Sequence, residues 1–165
     1  MGSGKTTLGA RLAALRDAAF VDLDARLEAA TGRSVRDWFV HHGEAAFRAA
    51  ELATLRAVVT HAAPRCVLAT GGGLVETADA TDLLRQFGTV VWLRADPAAC
   101  VARLGGARAA RPLLDDAPAW RARWERRAPL YAGLAAAVVD THPQTIDASL
   151  AALLALYDAP AGAAS

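Results

Sequence analysis

The stretch Gly2-Ser3-Gly4-Lys5-Thr6-Thr7 has the residue types and spacing of a loop that binds phosphate at the start of a helix. Its glycines let backbone N–H groups turn toward phosphate oxygens, and a helix N-terminus adds partial positive charge. Lys5 would reach the β- and γ-phosphates of a nucleotide, and the Thr6 hydroxyl would ligate Mg²⁺. The first glycine of the full pattern, G-x-x-x-x-G-K-[ST], would fall before Met1, so a disordered glycine-rich start is the alternative.

The lysine of this stretch is the only one in the chain. Of the 18 Lys and Arg residues, 17 are arginine and the remaining one is Lys5. Lysine is a compact point charge, whereas arginine is a planar fork, and the two differ where a cation must fit among backbone N–H groups. A lysine kept at this one position therefore favours the phosphate-loop interpretation.

Two carboxylates, Asp22 and Asp24, follow a short strand predicted at 19–21. In an open parallel sheet, ligands bind beyond the carboxyl ends of the strands. Side chains one residue apart on an extended segment point to opposite sides, so one could face a metal and the other a second substrate. The alternative is that Asp24 only caps the following helix.

A triple glycine and three arginines are further candidates. Gly71-Gly72-Gly73 directly follows an apolar strand, which lets the backbone approach a ligand closely, although a loose turn would look the same. Arg111 lies in the glycine-hinged segment 105–116, which suits either a lid over a triphosphate or a charged surface loop. Arg48 sits inside a predicted helix and Arg127 precedes a proline, and neither carries information by itself.

The elements that must position these residues are short apolar strands alternating with helices. This order is typical of a parallel sheet covered on both faces, hence a three-layer α/β/α domain. Strands are predicted at 19–21, 66–70, 89–93 and 137–139, and helices at 6–15, 24–30, 34–39, 44–59, 82–87, 96–104, 120–134 and 146–157.

Composition narrows the classes of function. The chain has 165 residues and a net charge of +1, which gives no electrostatic reason to expect nucleic acid or an anionic membrane as a partner. Cys66 and Cys100 form no CxxC pair and are expected to be buried free thiols. With no signal peptide or long apolar run in the sequence, a cytoplasmic location is expected.

Taken together, the motifs resemble the shikimate kinase family in order and spacing. They are GSGKTT, DLD followed by TGRS, GEAAFR, ATGGG, RPLL and RRAPLY, and they run from Gly2 to about Tyr131. The resemblance implies a P-loop fold like that of nucleoside monophosphate kinases. It implies one domain over 1–158, with a lid at about 105–116 and a frayed tail at 159–165. It also implies transfer of the γ-phosphoryl group of ATP to the 3-hydroxyl of shikimate, in aromatic amino-acid biosynthesis.

The resemblance also assigns roles to the candidate residues. It implies that residues 2–7 bind ATP, that Thr6 holds Mg²⁺ and that Asp22 assists the metal through water. It makes Asp24 the candidate base and a holder of the shikimate hydroxyls. In the same way, Arg48 and Arg127 would bind the substrate carboxylate, and Gly71, Gly72 and Gly73 would contact the substrate ring. The lid residue Arg111 would bind ATP, and Arg103 would lie near the nucleotide.

The resemblance implies ATP and shikimate as the small-molecule partners and Mg²⁺ as the cofactor, and we expect a monomer. Two other functions stay open. One is another small-molecule kinase of the same fold, such as a gluconate kinase. The other is a non-catalytic nucleotide-binding relic, which the incomplete loop makes plausible.

In the family that the motifs resemble, a central strand precedes the phosphate loop, between the strands predicted at 66–70 and 89–93. Met1 is then expected to be an internal codon, with upstream DNA that encodes a short apolar strand ending in Gly-x. About five missing buried residues would forfeit roughly 5–10 kcal/mol, against a typical domain stability of about 5–15 kcal/mol. The chain as printed is therefore expected to be poorly stable and weakly active.

Overall fold

The structure, a computed structural model, describes residues 2–104 and 117–159. Strands and helices alternate along the chain, as predicted for an α/β fold. The strands are β1 (Ala19–Asp22), β2 (Cys66–Ala69), β3 (Val91–Arg94) and β4 (Ala137–Asp140). The helices are α1 (Lys5–Leu15), α2 (Leu23–Thr31), α3 (Val35–His61), α4 (Ala78–Phe87), α5 (Pro97–Leu104), α6 (Ala117–Leu134) and α7 (Ile146–Asp158), with a 3₁₀ helix at Leu74–Glu76.

The strands form two parallel pairs. β1 pairs with β2, with Val21 opposite Leu68, and β3 pairs with β4, with Leu93 opposite Val139. Parallel strands need crossover connections, and helices supply them here. Within the part of the chain that the structure describes, no hydrogen-bonded ladder joins β2 to β3.

A cavity of about 440 Å³ lies between β2 and β3. Residues of both strands line it, together with Gly9 and Leu12 of α1 and Leu153 of α7. Most residues of β2 and β3 are only partly buried, although both strands are apolar. This is the space for which the sequence resemblance predicted a further strand, and the strand itself stays a prediction.

Local signals in the sequence account for the helix ends. Ser34 and Asp37 form a capping box at the start of α3, in which each side chain bonds to the backbone of the other residue. The helices predicted at 34–39 and 44–59 are joined in one element, whose backbone breaks at Gly43 with φ of 77°. Gly32 ends α2 in the left-handed conformation, which glycine adopts without strain.

One prediction about capping is wrong. The N-cap of α2 is Asp22, whose side chain accepts a hydrogen bond from the backbone N–H of Ala25. Asp24 lies two residues further on, inside the first turn of the helix, so the cap does not account for its presence. The interpretation of Asp24 as only a cap therefore fails.

Apolar side chains pack into separate clusters on the faces of the strands. One cluster lies among α2, α3, α4 and the 3₁₀ helix, and another between α1, β4 and α7. Cys100 belongs to a third, with Ala95 and Trp120, and is a buried free thiol as predicted. Cys66 is also free but only partly buried. Burial raises the pKa of both thiols.

None of the described helices is long and apolar enough to cross a membrane. The predicted lid at 105–116, with Arg111, lies outside the described residues, as does most of the tail predicted at 159–165. The predicted extent of the domain, 1–158, stays a proposal.

Candidate active site

The phosphate-loop sequence forms a tight turn that leads directly into α1. Gly4 is the N-cap of this helix, with φ of 89°, a left-handed conformation that a residue with a side chain would adopt only with strain. Lys5 is the first helical residue, and Leu8 closes the first turn by donating its N–H to the Gly4 carbonyl at 2.9 Å. The N–H groups before Leu8 have no partner inside the helix, which is the arrangement that binds anions.

Thr6 and Asp22 meet where α1 begins and β1 ends. The Thr6 hydroxyl donates to Oδ2 of Asp22 at 2.7 Å. The other carboxylate oxygen, Oδ1, accepts from Ala25 at 3.3 Å and so holds the start of α2. Asp22 therefore divides its two oxygens between the phosphate loop and the helix cap.

Asp24 faces a different part of the site. The prediction placed Asp22 and Asp24 on one extended segment, which is wrong because Asp24 belongs to the first turn of α2. The two carboxylates nevertheless face different groups, since a β-carbon built on Gly71 would lie 3.3 Å from Oδ1 of Asp24 and 2.5 Å from Oε1 of Glu51. The first residue of the triple glycine thus passes close to both Asp24 and Glu51.

Glu51 is a buried carboxylate in this wall, with a side chain that is 1% exposed. Its Oε2 accepts from Nη1 of Arg48 at 2.6 Å, while Oε1 has no hydrogen-bond partner among the described residues. Burial raises the pKa of Glu51, the charge of Asp24 adds to the rise, and Arg48 opposes it. An orphaned buried oxygen facing Gly71 and Asp24 is an available acceptor for a ligand hydroxyl or a water.

Arg48 is not the solvated helix arginine that its sequence position allowed. Its side chain is 19% exposed and lies between Glu51 and Glu44, which accept from it at 2.6 and 3.2 Å. A β-carbon on Gly73 would overlap the Arg48 guanidinium, so a side chain there would displace Arg48 from its present position. The turn of the triple glycine is thus packed directly against Arg48.

Arg127 approaches the same turn from α6. Its side chain is 12% exposed and forms an ion pair with Glu76 at 2.6 Å. Tyr131, one turn further along α6, donates its hydroxyl to the carbonyl of Gly72 at 2.5 Å. Burial raises the pKa of Tyr131, so this hydroxyl stays protonated and keeps donating at neutral pH.

Arg103 lies behind the phosphate loop, in a position that the sequence left uncertain. It donates to the carbonyls of Gly2, at 3.3 Å, and of Thr141. A cavity of about 270 Å³ beside it is lined by loop residues, Arg103, Thr141 and Gln144. A smaller cavity of about 140 Å³ is lined by Lys5 of the loop and by Gly71 and Gly72 of the triple glycine.

The structure brings together most of the residues that the sequence singled out. Residues 2–7 and Asp22 form one side, and Asp24, Arg48, Arg127 and the glycines 71–73 form the other. The sequence analysis missed Glu51, Glu76 and Tyr131. Glu51 could have been found as the residue three positions after Arg48 on the same helix, but nothing local marks Glu76. No group of three or more His, Cys, Asp or Glu side chains that could hold a metal occurs among the described residues.

Comparisons with known proteins agree on one family. The family model of shikimate kinase matches residues 1–157. A shikimate kinase of Frankia casuarinae is 43% identical over 158 residues, covering 93% of this chain and 68% of the relative. A shikimate kinase of Mycobacterium bovis is 38% identical over 162 residues, covering 96% and 90%. The structure of shikimate kinase from Acinetobacter baumannii in complex with shikimate aligns with a TM-score of 0.87 at 32% identity, over 95% of this chain and 88% of that one.

Proposed function

The chain belongs to the shikimate kinase family, and we propose that it binds shikimate around Gly71–Gly73 and ATP on the loop at 2–7. It is a phosphotransferase with the P-loop fold, and it transfers the γ-phosphoryl group of ATP to the 3-hydroxyl of shikimate. The products are 3-phosphoshikimate and ADP. The observation that carries the placement of the two substrates is the cavity lined both by Lys5 and by Gly71 and Gly72.

The residues around the triple glycine match the chemistry of shikimate, a small ring with one carboxylate and three hydroxyls. We assign the carboxylate to Arg48 and Arg127, because a guanidinium binds a carboxylate through two parallel hydrogen bonds. We assign the hydroxyls to Asp24 and to Oε1 of Glu51, which has no hydrogen-bond partner among the described residues. The close backbone at Gly71–Gly73 completes the contact with the ring.

Phosphoryl transfer requires mainly alignment and charge neutralisation. Lys5 supplies positive charge to the β- and γ-phosphates, and the N–H groups at the start of α1 bind their oxygens. Asp24 accepts the proton of the attacking 3-hydroxyl. The carboxylate keeps its position because Asp24 belongs to the first turn of α2. Arg111 would add positive charge from the lid, as the family resemblance implies, but it lies outside the described residues.

Mg²⁺ fits the pair formed by Thr6 and Asp22. Both present oxygen atoms, which are the ligands that Mg²⁺ prefers, and the hydroxyl and carboxylate already lie 2.7 Å apart. Mg²⁺ is commonly held by only one or two protein oxygens together with water and substrate phosphates, so a larger carboxylate cluster is not needed. When bound, the ion would neutralise charge on the phosphates, with Thr6 as a direct ligand and Asp22 acting through water.

We propose that one chain is sufficient for activity, because the phosphate loop and the triple glycine of a single chain line a common cavity. The cytoplasmic location stays a prediction from the sequence. A gluconate-kinase-like activity and a non-catalytic relic are the alternative functions to test.

A coupled assay of ADP release with several acceptors tests the substrate. We expect turnover with shikimate and none above background with gluconate or nucleoside monophosphates. Preference for gluconate, or ADP release that is independent of any acceptor, would contradict the assignment. Calorimetry covers the remaining alternative, since binding of ATP and shikimate without turnover would identify a relic.

Replacing Arg48 or Arg127 by lysine should weaken the binding of shikimate far more than the binding of ATP. Each change keeps the positive charge but removes the second of two parallel hydrogen bonds, so we expect KM for shikimate to rise roughly 10- to 100-fold. KM for ATP should change less than about twofold. The matched control is Arg56→Lys, since Arg56 forms an exposed ion pair with Asp79 outside the site. Equal effects on both substrates would contradict the carboxylate role.

Asp22→Asn should make the enzyme more dependent on Mg²⁺. Asparagine keeps an oxygen that can cap α2, so the fold is preserved while the negative charge near the metal is lost. We expect the Mg²⁺ concentration for half-maximal activity to rise about tenfold, measured at saturating ATP and shikimate. An unchanged Mg²⁺ dependence would show that Asp22 serves only the helix and the Thr6 hydroxyl.

A further inference from the structure

Glu76 holds two neighbouring arginines with its two carboxylate oxygens. It ends the 3₁₀ helix that follows the triple glycine. Its Oε1 accepts from Nε and Nη2 of Arg126 at 2.8 and 2.7 Å. Its Oε2 accepts from the same two atoms of Arg127 at 2.8 and 2.6 Å. One carboxylate thus connects the turn after β2 to consecutive residues of α6.

This contact occupies only one edge of the Arg127 guanidinium. A guanidinium carries five N–H donors in a rigid plane, and Glu76 engages the edge formed by Nε and Nη2. Glu76 does not engage the third nitrogen, Nη1, and Tyr131 also hydrogen-bonds to this arginine. Because Tyr131 in turn donates to the carbonyl of Gly72, the guanidinium is held next to the triple-glycine turn from two directions.

The cluster of Glu76, Arg126 and Arg127 carries more positive than negative charge at neutral pH. Burial alone would raise the pKa of Glu76, but hydrogen bonds from Arg127 and Arg126 hold it below its ordinary value, so the group is ionised. Two guanidinium groups and one carboxylate leave a net positive charge beside the turn. Glu76 therefore fixes the arginine without cancelling the attraction for an anionic ligand.

We propose that Glu76 is a positioning residue for substrate binding, which orients Arg127 so that the edge not engaged by Glu76 faces the substrate carboxylate. This inference rests on the proposed role of Arg127. A carboxylate at 76 could instead compete with the substrate for the same arginine. Competition would require the two carboxylates to use the same guanidinium edge, whereas the edge that Glu76 occupies is the one formed by Nε and Nη2.

Glu76→Gln tests the proposal by separating KM from kcat. Glutamine has the same shape but no charge, and its amide nitrogen cannot accept from an arginine. We expect KM for shikimate to rise about tenfold, with kcat and KM for ATP each within about twofold of the unchanged enzyme. The matched control is Glu125→Gln, because Glu125 forms an exposed ion pair with Arg121 on α6, the helix that also carries Arg127. This control should leave all three constants unchanged.

The double variant with Arg127→Met distinguishes the possible failures. If Glu76 acts through Arg127, Glu76→Gln should change shikimate binding little once Arg127 is replaced. An unchanged or lower KM in the single Glu76→Gln variant, with Arg127→Met still weakening shikimate, would overturn the positioning role alone. No effect of Arg127→Met on shikimate would overturn both this role and the proposed carboxylate site.

A melting curve of each variant shows whether it is still folded, and a second variant tests whether charge or shape at position 76 decides binding. Glu76→Asp keeps the charge on a shorter side chain, and we expect it to raise KM for shikimate less than glutamine does. A larger rise with aspartate than with glutamine would overturn the proposal, because shape rather than charge would then decide binding.

Discussion

Asp24→Asn should lower turnover by roughly 10²–10⁴, the usual contribution of a general base, while ATP binding changes little. The substitution keeps the shape of the side chain but removes its charge and its ability to accept a proton. The fold should survive, because the cap of α2 belongs to Asp22. Steady-state turnover with saturating shikimate, together with calorimetric binding of ATP, measures both effects.

The matched control for this variant is Asp82→Asn, because Asp82 forms an exposed ion pair with Arg85 on α4. It should leave turnover unchanged. An Asp24→Asn enzyme that keeps most of its turnover would mean that Asp24 only positions the substrate. A parallel loss of ATP binding would instead point to damage in the neighbouring phosphate loop.

Filling the cavity between β2 and β3 should give the largest gain in stability. We expect an extension before Met1 that carries five apolar residues, followed by glycine and one spacer residue, to add a parallel strand there. Burying those side chains should raise the free energy of unfolding by roughly 5–10 kcal/mol, allowing that some of them are small. The gain would be comparable to the stability of a whole domain, about 5–15 kcal/mol, and turnover should rise with it.

Denaturant unfolding of the extended and unextended chains measures this gain. The matched control is an extension of the same length made of glycine and serine, which cannot bury apolar area and should leave the free energy unchanged. The free energy of unfolding should also fall more steeply with denaturant concentration for the chain with the apolar extension, because that chain exposes more surface on unfolding. Equal stability of all three chains, with cooperative melting, would contradict the interpretation of the cavity as a strand position.

Local patterns predicted most elements of the fold. The apolar runs that became β1, β2, β3 and β4 stood out because a strand buried on both faces has few polar residues. Ser34 and Gly32 marked helix ends through hydrogen bonds within a few residues. The error came at a boundary, where Asp22 rather than Asp24 caps α2, whereas Gly43 separates the two predicted helices as a break inside α3. Local signals locate a helix better than they locate its terminal residue.

The sequence by itself determined the alternation of strands and helices and the phosphate loop at 2–7. It also determined the family, because these depend on residue types at short and regular spacings. Only the tertiary structure decided that Arg48 is paired and mostly buried, that Oε1 of Glu51, beside Gly71, has no hydrogen-bond partner among the described residues, and that Glu76 holds Arg127. Those contacts join α3, α6 and the turn after β2, and Glu76 and Arg127 lie 51 positions apart in the chain. No local pattern encodes such a pairing, since it exists only once packing has brought separate elements to the same edge of the sheet.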